Sequence, residues 1–291
     1  MKLLQYIFVY PVLYILSLLP FGVLFLISDV FYFLGFKVIK YRVKLVKANI
    51  SIAFPAKSEI EVDKIVRQFY KNFFDIILET IKLLTISEKE MKKRMTKGDV
   101  HVLNRYYEEN KSIILAFGHF GNWELGAIAY QIENFPHGKG VYKPVSNDFI
   151  NELMIKIRTR FGGDVYAMED TVAKIRANMG AQSAIGLIAD QNPSNHNAYW
   201  YIFLGRETPV FTSVEMIAKR FDFPVVYYKI NRLGRGKYQY NAELLCDKPS
   251  KTKKFEITHK YIELIERDIN EAPSNWLWTH NRWKRKKTDV H

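Results

Sequence analysis

The stretch Ser112-Ile-Ile-Leu-Ala-Phe-Gly-His119-Phe-Gly-Asn-Trp-Glu124-Leu-Gly126 changes character halfway along. Up to Phe117 it is a short apolar run closed by Gly118, the pattern of a strand buried on both faces. From about Trp123 to Ile132 it reads as a helix. Apolar runs of the same kind recur at Gly140-Val-Tyr142, Asp164-Val-Tyr166, Ala184-Ile-Gly-Leu-Ile-Ala189 and Pro224-Val-Val-Tyr-Tyr228. Helical stretches separate them, at about Asn147 to Phe161, Glu169 to Met179 and Ser213 to Phe221. Strands alternating with helices imply crossover connections, so the expected class is α/β, a mainly parallel sheet flanked by helices. The stretch Asn231-Arg-Leu-Gly-Arg-Gly236 predicts a turn into an added, antiparallel strand over Lys237 to Leu245. A last helix, about Lys253 to Ile269, is stopped by Pro273.

Upstream, Ile65, Phe69, Phe73, Ile76, Ile77 and Leu84 recur mostly at three- and four-residue intervals, with Lys64, Arg67, Lys71 and Glu79 between them. This predicts an amphipathic helix from Glu61 to about Leu84, packed on the body or lying on a membrane. Residues Leu3 to Ser28 are 26 consecutive uncharged, largely apolar residues, more than the roughly 20 a helix needs to cross a bilayer. A cleaved signal peptide fits poorly, because only Lys2 precedes the run and no small-residue cleavage site follows it. Pro11 and Pro20 leave open a kinked span or a helix embedded in one leaflet. Lys37, Lys40, Arg42, Lys44 and Lys47 follow, and such a cluster tends to stay in the cytoplasm. With no repeat, long linker or later boundary, the expected organisation is a membrane anchor over 1–36 and one domain over 37–291.

The chain carries 43 Lys plus Arg against 30 Asp plus Glu, a formal charge of +13. That favours anionic partners: lipid headgroups and an anionic membrane surface, phosphorylated substrates, acidic carrier proteins or nucleic acid. Nucleic acid is the poorer choice, since the basic residues gather on no recognition helix. The basic run Arg282-Trp-Lys-Arg-Lys-Lys287 reads as a solvated, lipid-facing end. The single cysteine, Cys246, excludes an intrachain disulfide and a cysteine zinc cluster, and fits a reducing compartment.

His119 falls at the carboxyl end of a predicted parallel strand, where such sheets bind ligands. A histidine there can take a proton near neutral pH, and a carboxylate on its other ring nitrogen would fix the tautomer. Glu124, five positions on, is close enough to fold back for that task. Gly118 and Gly121 let the chain turn sharply beside it. Each residue also has a plainer reading: a hydrogen-bonded structural histidine, and a glutamate suited to a helix N-terminus. No G-x-S-x-G elbow or H-E-x-x-H motif suggests a hydrolase.

The H-x4-E arrangement in this glycine-rich setting resembles the signature of the glycerolipid acyltransferase superfamily, and the longer match is to the bacterial lipid A late acyltransferases. It runs through Asn49-Ile-Ser-Ile-Ala-Phe-Pro55, Gly118 to Glu124, Val141-Tyr-Lys-Pro144, Arg158, Ala189-Asp-Gln191, Phe203-Leu-Gly205 and Pro273-Ser-Asn-Trp-Leu-Trp-Thr-His-Asn-Arg-Trp-Lys284. Lys143 stands where the family commonly has Arg, and Asn281 where a second Arg is common; lysine lacks the bidentate fork.

The resemblance implies a glycerolipid acyltransferase-like fold at the bacterial inner membrane, with its catalytic body facing the cytoplasm. It implies that His119, oriented by Glu124, is the general base on an acceptor hydroxyl that attacks an acyl carrier protein thioester, with no cofactor or metal. The implied acceptor is a lipid A precursor; a lysophospholipid or an amino-acid lipid would take the same chemistry. Arg158 is the candidate for oxyanion stabilisation, or else a surface ion-pair residue. Asp190 and Gln191 are expected to line the pocket, although Asp190 could pair structurally with a cation. Asn122, Lys143 and Arg206 are candidates for phosphate or acceptor contacts. A catalytically inactive membrane scaffold is the alternative of another class, against which the intact His119/Glu124 pair speaks.

Overall fold

The structure is a computed structural model that describes residues 2–133, 135–193, 198–285 and 287. Its strands are β1 (Met95–Lys97), β2 (Ile113–Phe117), β3 (His137–Tyr142), β4 (Asp164–Ala167), β5 (Ser183–Ile188), β6 (Tyr199–Phe203), β7 (Arg206–Val210), β8 (Val225–Gly234) and β9 (Lys237–Cys246). Seven form one sheet in the order β1-β9-β8-β2-β5-β3-β4. Every neighbouring pair is parallel except the β8–β9 hairpin. The mainly parallel α/β class and the antiparallel added strand are therefore present. All five residues of β2 are buried, as its unbroken apolar run requires. Strand alternation splits the interior into two cores. Ile114, Ala116, Ile185, Leu187 and Tyr227 face one; Leu115, Phe117, Ala184, Val226 and Tyr228 face the other.

Several features depart from the sequence reading. The apolar N-terminal run is broken at Pro20 into helices Lys2–Leu18 and Phe21–Val38; proline lacks the N–H that would continue the first helix and disfavours a helical residue before it. The second helix, at 18 residues and 22% buried, is long and apolar enough to cross a membrane. Strand β8 runs on to Gly234, through most of the expected turn, and pairs there with Lys237. Edge strand β1 and the separate β6–β7 hairpin were not foreseen.

The expected amphipathic helix spans Glu59–Lys82 and starts at a capping box, Ser58 with Glu61. It packs through Val62, Val66, Phe69, Tyr70 and Leu78, all buried. Two carboxylates one turn apart on it, Asp75 and Glu79, are buried as well. Asp75 accepts hydrogen bonds from Ser28 Oγ (2.8 Å), Arg232 Nη2 (2.8 Å) and Arg235 Nη2 (2.8 Å). Arg235 also reaches Asp29 at 2.7 Å, which ties the apolar Phe21–Val38 helix to the body. Glu79 Oε2 accepts from Tyr238 Oη (2.7 Å) and Asn122 Nδ2 (2.6 Å). Asn122 in turn caps the next helix, Trp123–Gln131, by accepting the Leu125 N–H at 2.9 Å.

These two acids generate different expectations. Replacing Asp75 by Ala removes the carboxylate from a buried Arg232 and should cost about 3 kcal/mol or more of unfolding free energy, since a buried charge is left without its partner. A loss below about 1 kcal/mol in denaturant unfolding would contradict that pairing. Burial pushes Glu79 up to about 7, against the opposing pull of Tyr238, Arg232 and Asn122. The folded state then binds more protons than the unfolded chain between about pH 4.5 and 7. This group's contribution to stability accordingly falls as pH rises through that window and levels off above it. Glu79→Gln should flatten that fall in melting temperature; an unchanged profile would show that Glu79 does not titrate there.

Candidate active site

Parallel pairing of Phe117 with Ile188 brings the ends of β2 and β5 level. Two residues past each end stand His119 and Asp190, so the register itself places the imidazole beside the carboxylate. His119 Nδ1 lies 2.6 Å from Asp190 Oδ1, and the His119 backbone N–H donates to Oδ2 at 2.9 Å. Trp276 Nε1 donates to the same Oδ2 at 2.8 Å. Burial alone would raise the Asp190 pKa, but His119 and Trp276 outweigh it and hold the acid below its ordinary value. The loop is tight at its two glycines, most of all at Gly121. A Cβ on Gly118 would sit 2.5 Å from Ile265 Cδ1, and Gly121 has φ 61 with its would-be Cβ 2.6 Å from the Ile230 carbonyl oxygen.

Glu124 is placed differently from the expectation that it orients His119. Its oxygens are taken by Arg158, which donates through Nε at 2.9 Å and Nη2 at 2.5 Å. The guanidinium fork matches both carboxylate oxygens, while His119 Nδ1 is satisfied by Asp190. Arg158 is thus the partner of a buried acid and not of a surface one. Trp123 meets the His119 ring edge-on, with centroids 5.1 Å apart.

His119, Glu124 and Arg158 open onto a cavity of about 760 Å³, with Lys143, Gln191 and His280 also on its wall. Its sides follow the alternation of the strands. On one face lie Leu115, Phe117, Tyr130, Met154 and Val165; on the other lie Val141, Val172, Leu187, Phe211 and Ile217. Part of the space exists because side chains are missing from β3 and β5, where Gly140 pairs with Gly186 and Gly138 with Ala184.

The remaining candidates divide. Asp190 is buried behind His119 and is not on the cavity wall, and neither Asn122 nor Arg206 lines it. Asn122 is fully buried and spent on Glu79 and the helix cap, so an acceptor contact from it is incompatible with this packing. Arg206 opens β7 in the separate hairpin. Among the described residues, no group of three or more His, Cys, Asp or Glu is arranged to hold a metal ion.

The closing segment, read from sequence only as part of a motif, forms one side of the site. Trp276 bridges Phe120, the Gly121 N–H donates to the Asn275 carbonyl at 3.0 Å, and the Leu277 N–H donates to the His119 carbonyl at 3.1 Å. Asn49 Nδ2 holds the Trp278 and His280 carbonyls, each at 3.0 Å, and Arg42 Nη1 holds that of Thr279 at 2.8 Å. Arg282 and Trp283 are buried, donating to the Pro209 carbonyl (2.7 Å) and Thr208 Oγ1 (2.9 Å). The expectation of a solvated end is corrected for these two, whose Nη1 and indole N–H donate to acceptors inside the protein. Lys287 is exposed, on Glu207, and residue 286 of that run lies outside the described residues.

The family described as bacterial lipid A biosynthesis acyltransferase matches residues 1–285. The chain is 23% identical over 278 residues to the lipid A biosynthesis lauroyltransferase of Escherichia coli (strain K12), covering 94% of this chain and 89% of that protein. It is 24% identical over 255 residues to a lipid A biosynthesis acyltransferase of Haemophilus influenzae, covering 85% and 79%. A second protein of the same description from that organism is 20% identical over 249 residues, covering 84% and 76%. With that family's match over nearly its whole length, and with an acid-backed histidine on the wall of a largely apolar cavity, this chain belongs to the bacterial lipid A biosynthesis acyltransferase family.

Proposed function

We propose that the protein transfers a fatty acyl chain from an acyl carrier protein thioester to a hydroxyl of a lipid A precursor, with His119 as general base. The observation that carries this reading is the His119–Asp190 pair, whose imidazole lines the 760 Å³ cavity with the carboxylate buried behind it. Asp190 stays ionised and holds the Nδ1–H tautomer, which leaves Nε2 to accept the proton of the acceptor hydroxyl. The alkoxide oxygen attacks the thioester carbonyl carbon, and the carbonyl oxygen gains the negative charge. Arg158, locked in place by Glu124, is the proposed cation for that oxygen; two of its N–H groups are spent on Glu124 and others remain. When the tetrahedral species collapses the carbon–sulfur bond breaks, and the imidazolium returns its proton to the thiolate. No acyl-enzyme and no cofactor enter this sequence. In this account the dyad expected as His119/Glu124 becomes His119/Asp190, with Glu124 supporting Arg158.

The apolar cavity walls suit the acyl chain. Lys143 and Gln191 are the proposed acceptor contacts, both on the cavity wall. We place the protein at the inner membrane through its N-terminal segment 1–36, with the body 37–291 on the cytoplasmic side, where the basic residues after the apolar helix favour it. The +13 charge supports an acidic carrier protein as donor and an anionic membrane surface as setting. A lysophospholipid or an amino-acid lipid acceptor would use the same residues.

The full-length protein in detergent, given lipid A precursor and a matched acyl chain on carrier protein or on coenzyme A, tests the reading. His119→Ala should lose roughly 10³-fold in kcat, and Asp190→Asn and Glu124→Gln about 10²-fold each. Carrier protein should be the faster donor at low salt, with an advantage that shrinks as ionic strength rises. Near-normal turnover by His119→Ala would overturn the mechanism, and a donor preference indifferent to salt would overturn electrostatic docking.

A further inference from the structure

Among the described residues, His280 Nδ1 is a buried polar atom with no hydrogen-bond partner and almost no surface. Its residue nevertheless lines the cavity that holds His119, Glu124 and Arg158. A sealed Nδ1 on a ring that meets the cavity leaves the Nε2 edge to face it. The backbone around this ring is fixed with unusual completeness. The His280 carbonyl accepts from Asn49 Nδ2 (3.0 Å) and from the Arg282 N–H (2.9 Å), and the preceding carbonyl accepts from Arg42. Four residues earlier, Trp276 grips Asp190. The ring is therefore carried on the same strap that positions the catalytic pair, yet its own hydrogen-bonding capacity goes unused among the described residues.

Resting on the acyltransfer reading above, we propose that His280 is a further catalytic residue, a neutral imidazole whose Nε2–H donates to the thioester carbonyl oxygen as that oxygen becomes negative. Two properties of the surroundings suit the role. Burial, and then the charges of Arg282, His119 and Arg42, hold the ring at about 4 against the opposing pull of Asp190, so it is uncharged at neutral pH. A proton on the sealed Nδ1 would have no acceptor among the described residues, which favours the proton on Nε2, at the edge that meets the cavity. A fixed, uncharged donor aimed at the reacting oxygen needs no reorganisation when charge develops there. It would share the oxygen with Arg158, which approaches from the helix Asp148–Arg158 and not from the strap.

The test combines kinetics with a measurement that needs no turnover. His280→Ala should lower kcat about 100-fold, with KM for donor and acceptor within about twofold. His280→Gln, whose amide nitrogen can reach the place of Nε2, should recover part of the loss. Nitrogen chemical shifts of histidine-labelled protein at pH 7 should show His280 as the Nε2–H tautomer. Wild-type kcat in His280→Ala, a loss confined to KM, a Gln variant no better than Ala, or an Nδ1–H or protonated ring would each overturn the proposal. Should the Ala variant fail to fold, the Gln variant and the tautomer decide it. Wild-type protein that transfers no acyl chain, while its His280 is the Nε2–H tautomer, would instead count against the acyltransfer reading.

Discussion

Asp190 is a carboxylate shut away from water, and such a group persists only where donors converge on it. Three do: the His119 ring, the His119 backbone N–H and the Trp276 indole. They answer two different demands on the chain. The ring and the backbone N–H arrive because β2 and β5 are paired in a register that brings their ends level. The indole arrives because the segment after Pro273 crosses back over the His119 loop and bridges Phe120. Sheet register, loop conformation and the carboxyl-terminal strap are thus joined at one buried charge, and the orientation of His119 follows from all of them.

A second pair of buried acids does for the neighbouring helix what Asp190 does for the histidine. Asp75 binds the apolar N-terminal helix, through Ser28 and the shared Arg235, to the β8–β9 hairpin through Arg232. Glu79, one turn along, holds Asn122, and Asn122 caps the helix that carries Glu124. The helix Glu59–Lys82 therefore connects the apolar helix to the start of the helix Trp123–Gln131 through buried hydrogen bonds. Buried polar groups of this kind contribute less to net stability than to the uniqueness of an arrangement. Here that arrangement sets where Glu124 and Arg158 face the cavity.

Much of this was legible in the sequence because it is local. The apolar run Ile113–Phe117, its closing glycine and the helix after it follow from period and composition, and the helix Ser213–Phe221 was placed to the residue. His119 was legible as a strand-end residue for the same reason. What escaped was non-local. Glu124, five positions from His119, looked like its partner, whereas Asp190, 71 positions away, becomes its neighbour only through the β2–β5 register. Strand β1 is three residues, Met-Thr-Lys, with no alternation to detect, and exists because β9 offers it an edge. Arg282 and Trp283 belong to a run whose charge density suggests solvent; their burial depends on acceptors in the β6–β7 hairpin and the adjoining loop.

The central claim is that this site adds an acyl chain to a lipid hydroxyl in the membrane, and the most direct measurement is mass spectrometry of membrane lipids, lipid A included, from cells with and without the gene. Cells lacking it should accumulate a lipid A species lighter by one acyl group, and the wild-type chain, but not a chain altered at His119, should restore the full mass. Lipid A of unchanged mass, together with no other lipid gaining or losing an acyl chain, would contradict that claim.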